Sequence, residues 1–380
     1  MIRGGITEVE IQMQKLKAAV GEEDPLNPNI PAVMPAAVYR GVNRVEIETV
    51  PVPEISEREM LVRIHACGVC GTDLKKIELG LVEPPRIFGH EMAGTVVRTG
   101  RSVRQYALGD RVAVCHHVPC RHCFYCRRKL FSQCEHYRRT GTTAGFAPAG
   151  GGFAAYVRVM DWIVEQGTIV IPDHVSFEEA SFLEPLNTCL KALETAALEA
   201  GEVVVAFGQG PVGLLMMQAA VHDGARVIGL DFIQRRLEIA LELGASLALN
   251  PRRDDVQAAV FGLTEGRGAD LAIVATADSR VVAEAQSLVR RGGRVLLFAN
   301  TVPGEVVPVD ASRICMEEKR LIGSYSSSVE LDGKTADLIF NRKVNVARLV
   351  SHCFPLDKIV EAVQIASHPS EDSLKVIVQP

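Results

Sequence analysis

The sequence predicts an α/β protein with two domains, one all-β and barrel-like and the other built on a doubly wound parallel sheet. Three observations predict this fold class. A chain of 380 residues exceeds the size at which a single hydrophobic core keeps growing. Short strand-like segments interrupted by Gly and Pro dominate residues 34–184. Strand-like and helical segments then alternate over residues 185–328, which is the pattern of βαβ units.

Residues 1–33 stand apart from the first domain. Residues 1–23 have the pattern of a weak amphipathic helix, and a linker rich in Pro and Asn follows. The plain interpretation is a loosely attached extension or an upstream start codon, and a role in packing or assembly is the alternative. Within the first domain, strands are predicted at residues 35–39, 59–64, 94–97 and 110–114.

The second domain starts from the unbroken apolar run 203–207, as expected for a parallel strand that is buried on both faces. Later segments continue the alternation. Helices are predicted at 211–223, 234–243 and 279–290, and strands at 226–231, 271–275, 295–299 and 320–325. Residues 329–380 form a tail whose last strand, at 374–378, we expect to return to the first domain.

Composition excludes several classes of protein. Hydrophobic residues make up 47% and charged residues 23%, as in ordinary globular proteins. The net charge of −5 argues against binding nucleic acid or an anionic membrane. No apolar run approaches membrane-spanning length, and the N-terminus lacks the pattern of a signal peptide. We therefore expect a cytoplasmic protein in which the grouped cysteines among the ten hold metal rather than form disulfides.

Four cysteines cluster in a short basic stretch within a lobe at about residues 115–140. They are separated by two, two and seven residues, at Cys120, Cys123, Cys126 and Cys134. Four thiolates that can reach one ion are what tetrahedral zinc accepts in a closed, structural site. The basic run 127–129 could instead mark a nucleic-acid-binding zinc knuckle, but the negative net charge favours a solvated lobe.

The motif Gly208-Gln209-Gly210-Pro211-Val212-Gly213 lies between a predicted strand and a predicted helix. Gly208 allows a tight turn, Gly210 lets a pyrophosphate approach the backbone, and Gly213 allows close packing of helix and strand. A plain turn is the alternative. Asp231 ends the next strand, where an acid can bind the adenosine ribose hydroxyls and repel a 2′-phosphate. This favours NAD over NADP.

Two further motifs each place a good zinc ligand in a Gly-flanked turn between predicted strands. Cys70 and His90 are these ligands, and a carboxylate from Glu91 or Glu184 would complete the three that a catalytic zinc uses. The fourth position is then open to water or substrate. Cys67 and Cys70 also form a C-x-x-C pair, for which a redox function is the alternative.

The order of these motifs resembles that of the zinc-dependent medium-chain alcohol and polyol dehydrogenases. The residues that carry the resemblance are Cys70–Asp73, Gly89–Glu91, the four-cysteine lobe, Glu184–Pro185 and the glycine motif. The sorbitol/threonine dehydrogenase branch is the most similar, and the resemblance covers roughly residues 34–380. It implies a GroES-like barrel domain and a Rossmann domain with the active site between them.

The resemblance also implies roles for the candidate metal site. Cys70 and His90 would bind the catalytic zinc, and Asp73 would orient the histidine. Glu91 and Glu184 occupy positions where the family uses either acid as a third ligand or keeps it hydrogen-bonded to zinc-bound water, and the sequence leaves this choice open. Alcohol dehydrogenases proper often have a cysteine at the position of Glu184, which favours polyols or other hydroxylated substrates.

For the remaining site residues the resemblance implies contacts with substrate and cofactor. Thr72 would begin proton transfer from the bound alcohol, Val212 would lie near the pyrophosphate, and Arg236 would line the adenosine pocket. Asn300 would lie beside the nicotinamide. The family further implies two zinc ions per chain, NAD, a small-molecule alcohol or polyol, and a homo-oligomer, either dimer or tetramer.

The predicted activity is oxidation of a secondary alcohol or polyol to a ketone by NAD with the help of zinc. A reductase of aldehydes or ketones, and a non-catalytic zinc- and nucleotide-binding regulator, are the alternatives. Eight other residues are interpreted as structural. The cysteines at 115, 189, 315 and 353 are expected to be buried, and the histidines at 65, 116, 117 and 136 to be loop or packing residues.

Overall fold

The computed structural model describes residues 30–116, 118–136, 150–299 and 304–380. The strands of the first domain are β1 (Val33–Gly41), β2 (Arg44–Pro51), β3 (Met60–Gly68), β4 (Arg86–Ile87), β5 (Glu91–Thr99), β6 (Arg111–Val114), β7 (Tyr156–Val159) and β8 (Thr168–Val170). Its helices are α1 (Gly71–Leu79), α2 (Asp161–Gln166) and α3 (Phe177–Ala180), and α4 (Leu183–Thr195) leads into the second domain.

The second domain and the tail supply the other elements. The strands are β9 (Val203–Phe207), β10 (Arg226–Leu230), β11 (Leu247–Leu249), β12 (Ala269–Val274), β13 (Val289–Leu297), β14 (Arg320–Gly323), β15 (Val350–Pro355) and β16 (Lys375–Gln379). The helices are α5 (Pro211–His222), α6 (Gln234–Glu242), α7 (Val256–Leu263), α8 (Val281–Leu288), α9 (Ala311–Met316), α10 (Asp332–Phe340) and α11 (Ile359–Ser367).

The second domain is a six-stranded parallel sheet with the strand order β11-β10-β9-β12-β13-β14. Followed along the chain, the sheet starts at β9 in its centre and adds β10 and β11 on one side. The chain then returns to the other side of β9 with β12. The direction therefore reverses between β9 and β12, and such a reversal opens a crevice at the carboxyl ends of the strands where dinucleotides bind. All five residues of β9 are buried, as the apolar run predicted.

The first domain is mostly antiparallel and is completed by the end of the chain. Its seven-stranded sheet has the order β15-β16-β3-β5-β6-β8, and β7 pairs with β3. A separate three-stranded sheet has the order β2-β1-β4. Strand β16 pairs with β3 through Ile377 opposite Gly68 and Val378 opposite Cys67. The two-domain α/β fold class is confirmed, and the boundaries at residues 33, 184 and 328 stay predictions.

Helix α4 joins the cores of the two domains. Its buried face includes Leu186, Leu190 and Leu193, which recur at helical spacing and are almost fully removed from solvent. They belong to one hydrophobic cluster that also contains Ala66 of β3 and Val204 of β9. The helix is thus held on both sides of the interdomain cleft. The opposite face of α4 is left to line that cleft.

Several expectations are corrected or lie outside the described residues. Strand β15 was not predicted, and the helix expected over residues 1–23 lies outside the described ranges. Cys315 and Cys353 are exposed rather than buried, because short α9 buries none of its residues and β15 is the edge strand of its sheet. Across the described ranges, no helix has both the length and the apolarity needed to cross a membrane.

Candidate active site and structural metal site

Cys70 and His90 are brought together by the pairing of β3 with β5. Gly68, the last residue of β3, lies opposite Glu91, the first residue of β5, so the turns beyond these ends are neighbours. Cys70 is the N-cap of α1, and its sulfur accepts the Thr72 N–H at 3.4 Å. The ligand atoms of Cys70, His90 and Glu91 all lie within 4.8 Å of one another.

A buried carboxylate orients His90. Asp73 is fully buried in the first turn of α1, and its Oδ1 lies 3.2 Å from Nδ1 of His90. Burial lowers the pKa of His90, but the charges of Asp73 and Cys70 outweigh burial and raise that pKa well above its usual value. The surroundings therefore favour positive charge at this point. With Nδ1 turned to Asp73, Nε2 is the ring nitrogen left for a metal ion.

Lys375 is a site residue that the sequence analysis missed. It lies in β16 and forms an ion pair with Glu91, and both residues are buried. Its ammonium group also donates to the carbonyl of Val69 at 3.2 Å. Burial lowers the pKa of Lys375, but the neighbouring Glu91 carboxylate outweighs it and raises that pKa above its usual value. The available signal was a lysine in the otherwise apolar run 374–378.

Glu184 lies in the first turn of α4 and points into the same cavity. That cavity of about 150 Å³ is also lined by Cys70, Thr72, His90 and Glu91. Burial raises the pKa of Glu184 to about 7. Among the residues that line this cavity, the atoms close enough to share one ion come from Cys70, His90 and Glu91, and Glu184 lines the cavity without joining that group.

The four-cysteine lobe has the geometry of a tetrahedral zinc site. The sulfurs of Cys120, Cys123, Cys126 and Cys134 all lie within 4.8 Å of one another. Zinc–sulfur bonds of about 2.3 Å place the sulfurs of a tetrahedron about 3.8 Å apart. The sulfurs of Cys120 and Cys126 are 3.9 Å apart. The residues present therefore fit a structural zinc ion.

Backbone N–H groups in the lobe point at the sulfurs. Cys134 accepts from the N–H of Cys120 at 3.3 Å and from that of His136 at 3.4 Å. Burial raises the pKa of Cys123, but backbone N–H groups, that of Glu135 first among them, outweigh it and lower that pKa to about 6. Thiolate, the form that binds zinc, is thus favoured at Cys123, whereas burial raises the pKa values of Cys120 and Cys126. The lobe contacts α4, because Lys191 of that helix donates to Ser132 of the lobe at 2.8 Å.

The glycine motif forms a tight turn directly after β9. Gly208 has φ of +91°, a conformation that side chains disfavour. A Cβ on Gly213 would lie 1.8 Å from the carbonyl oxygen of Gly208, so this position accepts only glycine without a backbone shift. Gly210 is the N-cap of α5, whose first N–H groups lack partners within the helix. The turn and the helix end together make an anion site suited to a pyrophosphate.

Asp231 follows β10 and holds the glycine motif through its carboxylate. Its oxygens accept the N–H groups of Gln209 at 2.7 Å and Ile233 at 2.9 Å. Arg236 Nη1 lies 3.7 Å from the same carboxylate, and Nη2 donates to the carbonyl of Ser373 at 3.1 Å. The two residues expected at the adenosine end are therefore neighbours.

The dinucleotide motif and the metal ligands meet at one cleft. Val212, Phe298, Ser324 and Tyr325 line the cavity that contains Cys70 and His90. These four come from the start of α5 and from the segments that follow β13 and β14, which is where the crevice of a doubly wound sheet opens. Asn300 lies outside the described residues.

Three of the four histidines interpreted as structural lie among the described residues, and His136 lies beside His122 with ring centroids 5.9 Å apart. His65 stacks on Phe177 with ring centroids 4.4 Å apart, which is a packing contact. His116 lines the catalytic cavity, and its ring centroid lies 4.7 Å from that of His90. Its interpretation as a loop or packing residue is therefore incomplete. His117 lies outside the described residues.

A cysteine, histidine and carboxylate group that faces a dinucleotide-binding sheet defines a class of zinc- and nicotinamide-dependent oxidoreductases. Two family models match the chain in agreement with this class. The alcohol dehydrogenase GroES-like domain matches residues 56–172, and the zinc-binding dehydrogenase domain matches residues 211–340. The chain belongs to the zinc-dependent medium-chain dehydrogenase/reductase family. The resemblance seen in the sequence is confirmed, and the protein is an alcohol-oxidising enzyme of that family.

Individual relatives match over nearly the whole chain. Sorbitol dehydrogenase of Bacillus subtilis is 31% identical and is matched over 92% of this chain and 98% of its own. D-arabitol-phosphate dehydrogenase of Enterococcus avium is 29% identical, over 87% of this chain and 96% of its own. Among solved structures, a zinc-binding dehydrogenase of Sinorhizobium meliloti bound to NADP superposes with a TM-score of 0.83 at 29% identity, covering 92% of this chain and 99% of that one.

Proposed function

We propose that this enzyme oxidises a secondary alcohol of a polyol to a ketone with NAD as the acceptor. Cys70, His90 and Glu91 would hold the catalytic zinc, and the four cysteines of the lobe would hold a second zinc. The convergence of these three ligand groups on the cleft beside Val212 and Phe298 is the observation that carries the proposal. The sorbitol and arabitol-phosphate dehydrogenases among the relatives support a polyol substrate.

The chain's own residues prepare the site for this reaction. When bound, zinc supplies a Lewis acid that makes a hydroxyl easier to deprotonate, and the nicotinamide supplies the hydride acceptor. Asp73 holds His90 in one orientation, and the Thr72 N–H contacts the Cys70 sulfur at the start of α1. Lys375 balances the buried charge of Glu91. The charges of the three ligands are thereby held in place before substrate arrives.

Proton removal from the substrate falls to Thr72 in this proposal. Its backbone N–H contacts the Cys70 sulfur, and the residue lines the catalytic cavity. The threonine hydroxyl can accept the proton of a substrate hydroxyl while it donates its own to water or to the ionised Glu184 carboxylate in the same cavity. Glu184 is held by burial at a pKa of about 7, so its carboxyl can carry a proton in the same cavity.

The preference for NAD rests on Asp231. Its buried carboxylate lies at the end of β10, where a 2′-phosphate would meet a negative charge. Arg236 lies 3.7 Å away and already faces that carboxylate. The NADP bound to the Sinorhizobium meliloti protein makes a direct comparison of the two cofactors necessary.

Hydride transfer is tested by NADH absorbance with zinc-loaded protein and a panel of polyols, sugars, threonine and simple alcohols. We expect turnover with polyols and a lower kcat/KM with NADP than with NAD. Cys70→Ser should abolish turnover while NAD binding persists. Cys353→Ser, at an exposed position, is the matched control and should keep full activity.

Absence of turnover across the panel, or full activity in Cys70→Ser, would overturn the proposal. Faster reduction of ketones or aldehydes than oxidation of alcohols at neutral pH would assign the chain to the reductase alternative. A cytoplasmic location and a homo-oligomeric state, dimer or tetramer, stay predictions, and size-exclusion chromatography with light scattering tests the latter.

A further inference from the structure

One face of α4 connects the catalytic cavity to a second, larger cavity. Glu184, Thr188, Lys191 and Thr195 recur at intervals of four, three and four residues, so they lie along one stripe of the helix. Glu184 and Thr188 line the catalytic cavity, and Lys191 and Thr195 line a cavity of about 720 Å³. A rise of 1.5 Å per residue separates Glu184 from Lys191 by roughly 10 Å along the axis.

The two cavities share a wall. Phe298, Ser324 and Tyr325, which follow β13 and β14, line both of them. On its other side the larger cavity is bounded by the zinc lobe through Ser132 and Gln133. The two cavities therefore adjoin at these three residues, with Cys70 on one side and Lys191 on the other.

Lys191 is a half-buried cation without an acidic partner among the residues that the structure describes. Its Nζ donates to Ser132 Oγ at 2.8 Å and to the Tyr325 carbonyl at 2.5 Å. Glu305 is the acid among the described lining residues, and it accepts from the Ser279 hydroxyl at 2.5 Å. Burial lowers the pKa of Lys191 to about 8, so the amine is still mostly protonated at neutral pH.

A partly desolvated ammonium group is unfavourable unless an anion or several acceptors compensate it. Here two neutral oxygens satisfy two of its three N–H donors, which leaves one for a ligand. The Ser132 hydroxyl beside it can donate to the same ligand. An ammonium and a hydroxyl together are suited to phosphate or carboxylate oxygens.

We propose that the Lys191 cavity binds the anionic end, phosphate or carboxylate, of a hydroxylated substrate whose reacting carbon lies in the catalytic cavity. This inference rests on the proposed alcohol dehydrogenase function and specifies its substrate class. The competing interpretation is structural: Lys191 would only tie the zinc lobe to the segment after β14. The two interpretations differ in which substrates a change at Lys191 affects.

The test compares matched substrates with zinc-loaded, full-length protein. The substrates are a neutral polyol, the same polyol with a terminal phosphate, and the corresponding sugar acid with a terminal carboxylate. The proteins are wild type, Lys191→Met, Lys191→Arg and the surface control Lys334→Met, whose ammonium pairs with Asp223. Initial rates give kcat and KM, and thermal unfolding with and without each compound gives binding independently of turnover.

We expect wild type to favour one of the anionic substrates over the neutral polyol. Lys191→Met should lose about 10- to 100-fold in kcat/KM for that substrate, mainly through KM, as expected for removing a charged hydrogen bond. Its rate with the neutral polyol should stay within about twofold, and Lys191→Arg should retain most of the preference. The phosphate and carboxylate arms then show which anion the cavity takes.

Equal kcat/KM for anionic and neutral substrates in wild type would overturn the inference, and so would an equal loss for both in Lys191→Met. In thermal unfolding, the preferred anionic compound should stabilise wild type and Lys334→Met but not Lys191→Met. Stabilisation of all three would also overturn it. A protein that oxidises no substrate at all contradicts the proposed function instead, so the two failures are distinguishable.

Discussion

Replacing Gly213 by alanine is expected to displace the glycine-rich turn between β9 and α5. The new Cβ would lie 1.8 Å from the Gly208 carbonyl oxygen and 2.9 Å from its carbon, whereas an ordinary contact begins at 3.4 Å. The obstacle is backbone rather than the end of a flexible side chain, so helix and strand must move apart by more than 1 Å. Overpacking of this kind costs about 1–3 kcal/mol.

The displacement should also weaken NAD binding. The turn and the first N–H groups of α5 form the site proposed for the pyrophosphate, and their positions depend on this close contact. A loss of about 1.4 kcal/mol of binding free energy raises the dissociation constant tenfold. We expect Gly213→Ala to weaken NADH binding by about tenfold or more, measured by fluorescence titration, and to lower the melting temperature.

The matched control is Gly262→Ala in α7. Gly262 is exposed, and no atom lies within 4 Å of a Cβ built on it. Alanine there should stabilise the protein by about 0.5–1 kcal/mol, because glycine inside a helix costs backbone entropy. NADH binding should not change. If Gly213→Ala kept the wild-type affinity and melting temperature, the packing argument would be refuted, because a Cβ at this position would then fit beside the Gly208 backbone.

Three further predictions concern pH, cofactor and metal. Burial raises the pKa of Asp332 to about 7 from an ordinary 3.8, although Asn187 donates to it at 2.7 Å. The folded state therefore holds this proton more tightly than the unfolded state, and the resulting stability is present below pH 4 and lost as pH rises towards 7. We expect the free energy of unfolding of Asp332→Asn, measured in urea, to rise relative to that of wild type between pH 4 and pH 8, by no more than about 4 kcal/mol. A difference between the two proteins that does not change with pH would contradict the burial argument. Asp231→Asn keeps an acceptor for the Gln209 N–H but removes the charge, so the ratio of kcat/KM for NADP to that for NAD should rise about tenfold or more, and an unchanged ratio would remove Asp231 from cofactor choice. Cys123→Ser should lower the zinc content by one ion per chain relative to wild type, measured by mass spectrometry, and lower the melting temperature. An unchanged zinc content would show that the lobe is not a zinc site.

The start of the second domain was the part of the fold most open to prediction. Strand β9 was expected at 203–207 and is Val203–Phe207, and α5 was expected at 211–223 and is Pro211–His222. A strand buried on both faces needs a continuous apolar run, and a helix packed on it needs glycine at the contact, so local sequence carries both signals. Strand β15 was missed because it is an edge strand in which none of the residues is fully buried.

Some residues of the candidate site could likewise be predicted from the sequence, and others could not. Cys70, His90 and the four cysteines of the lobe could be proposed from residue type and spacing, because zinc requires particular donors close together in a turn. Lys375 could not, since its partner Glu91 lies far away in the chain and their contact depends on β16 pairing with β3. Lys191 likewise gains significance only from the two adjoining cavities that one face of α4 lines.

The sequence by itself determined the two-domain class, the family, and the donors available to metal and dinucleotide, since these follow from local patterns of apolar residues, glycines, cysteines and histidines. Tertiary structure decided which acid lies nearest to Cys70 and His90, which lysine pairs with it, and which face of α4 lines the cleft. Those outcomes depend on strand pairing, which brings distant residues within a few ångströms of one another. They also depend on burial, which changes the free energy of placing a charge on each side chain.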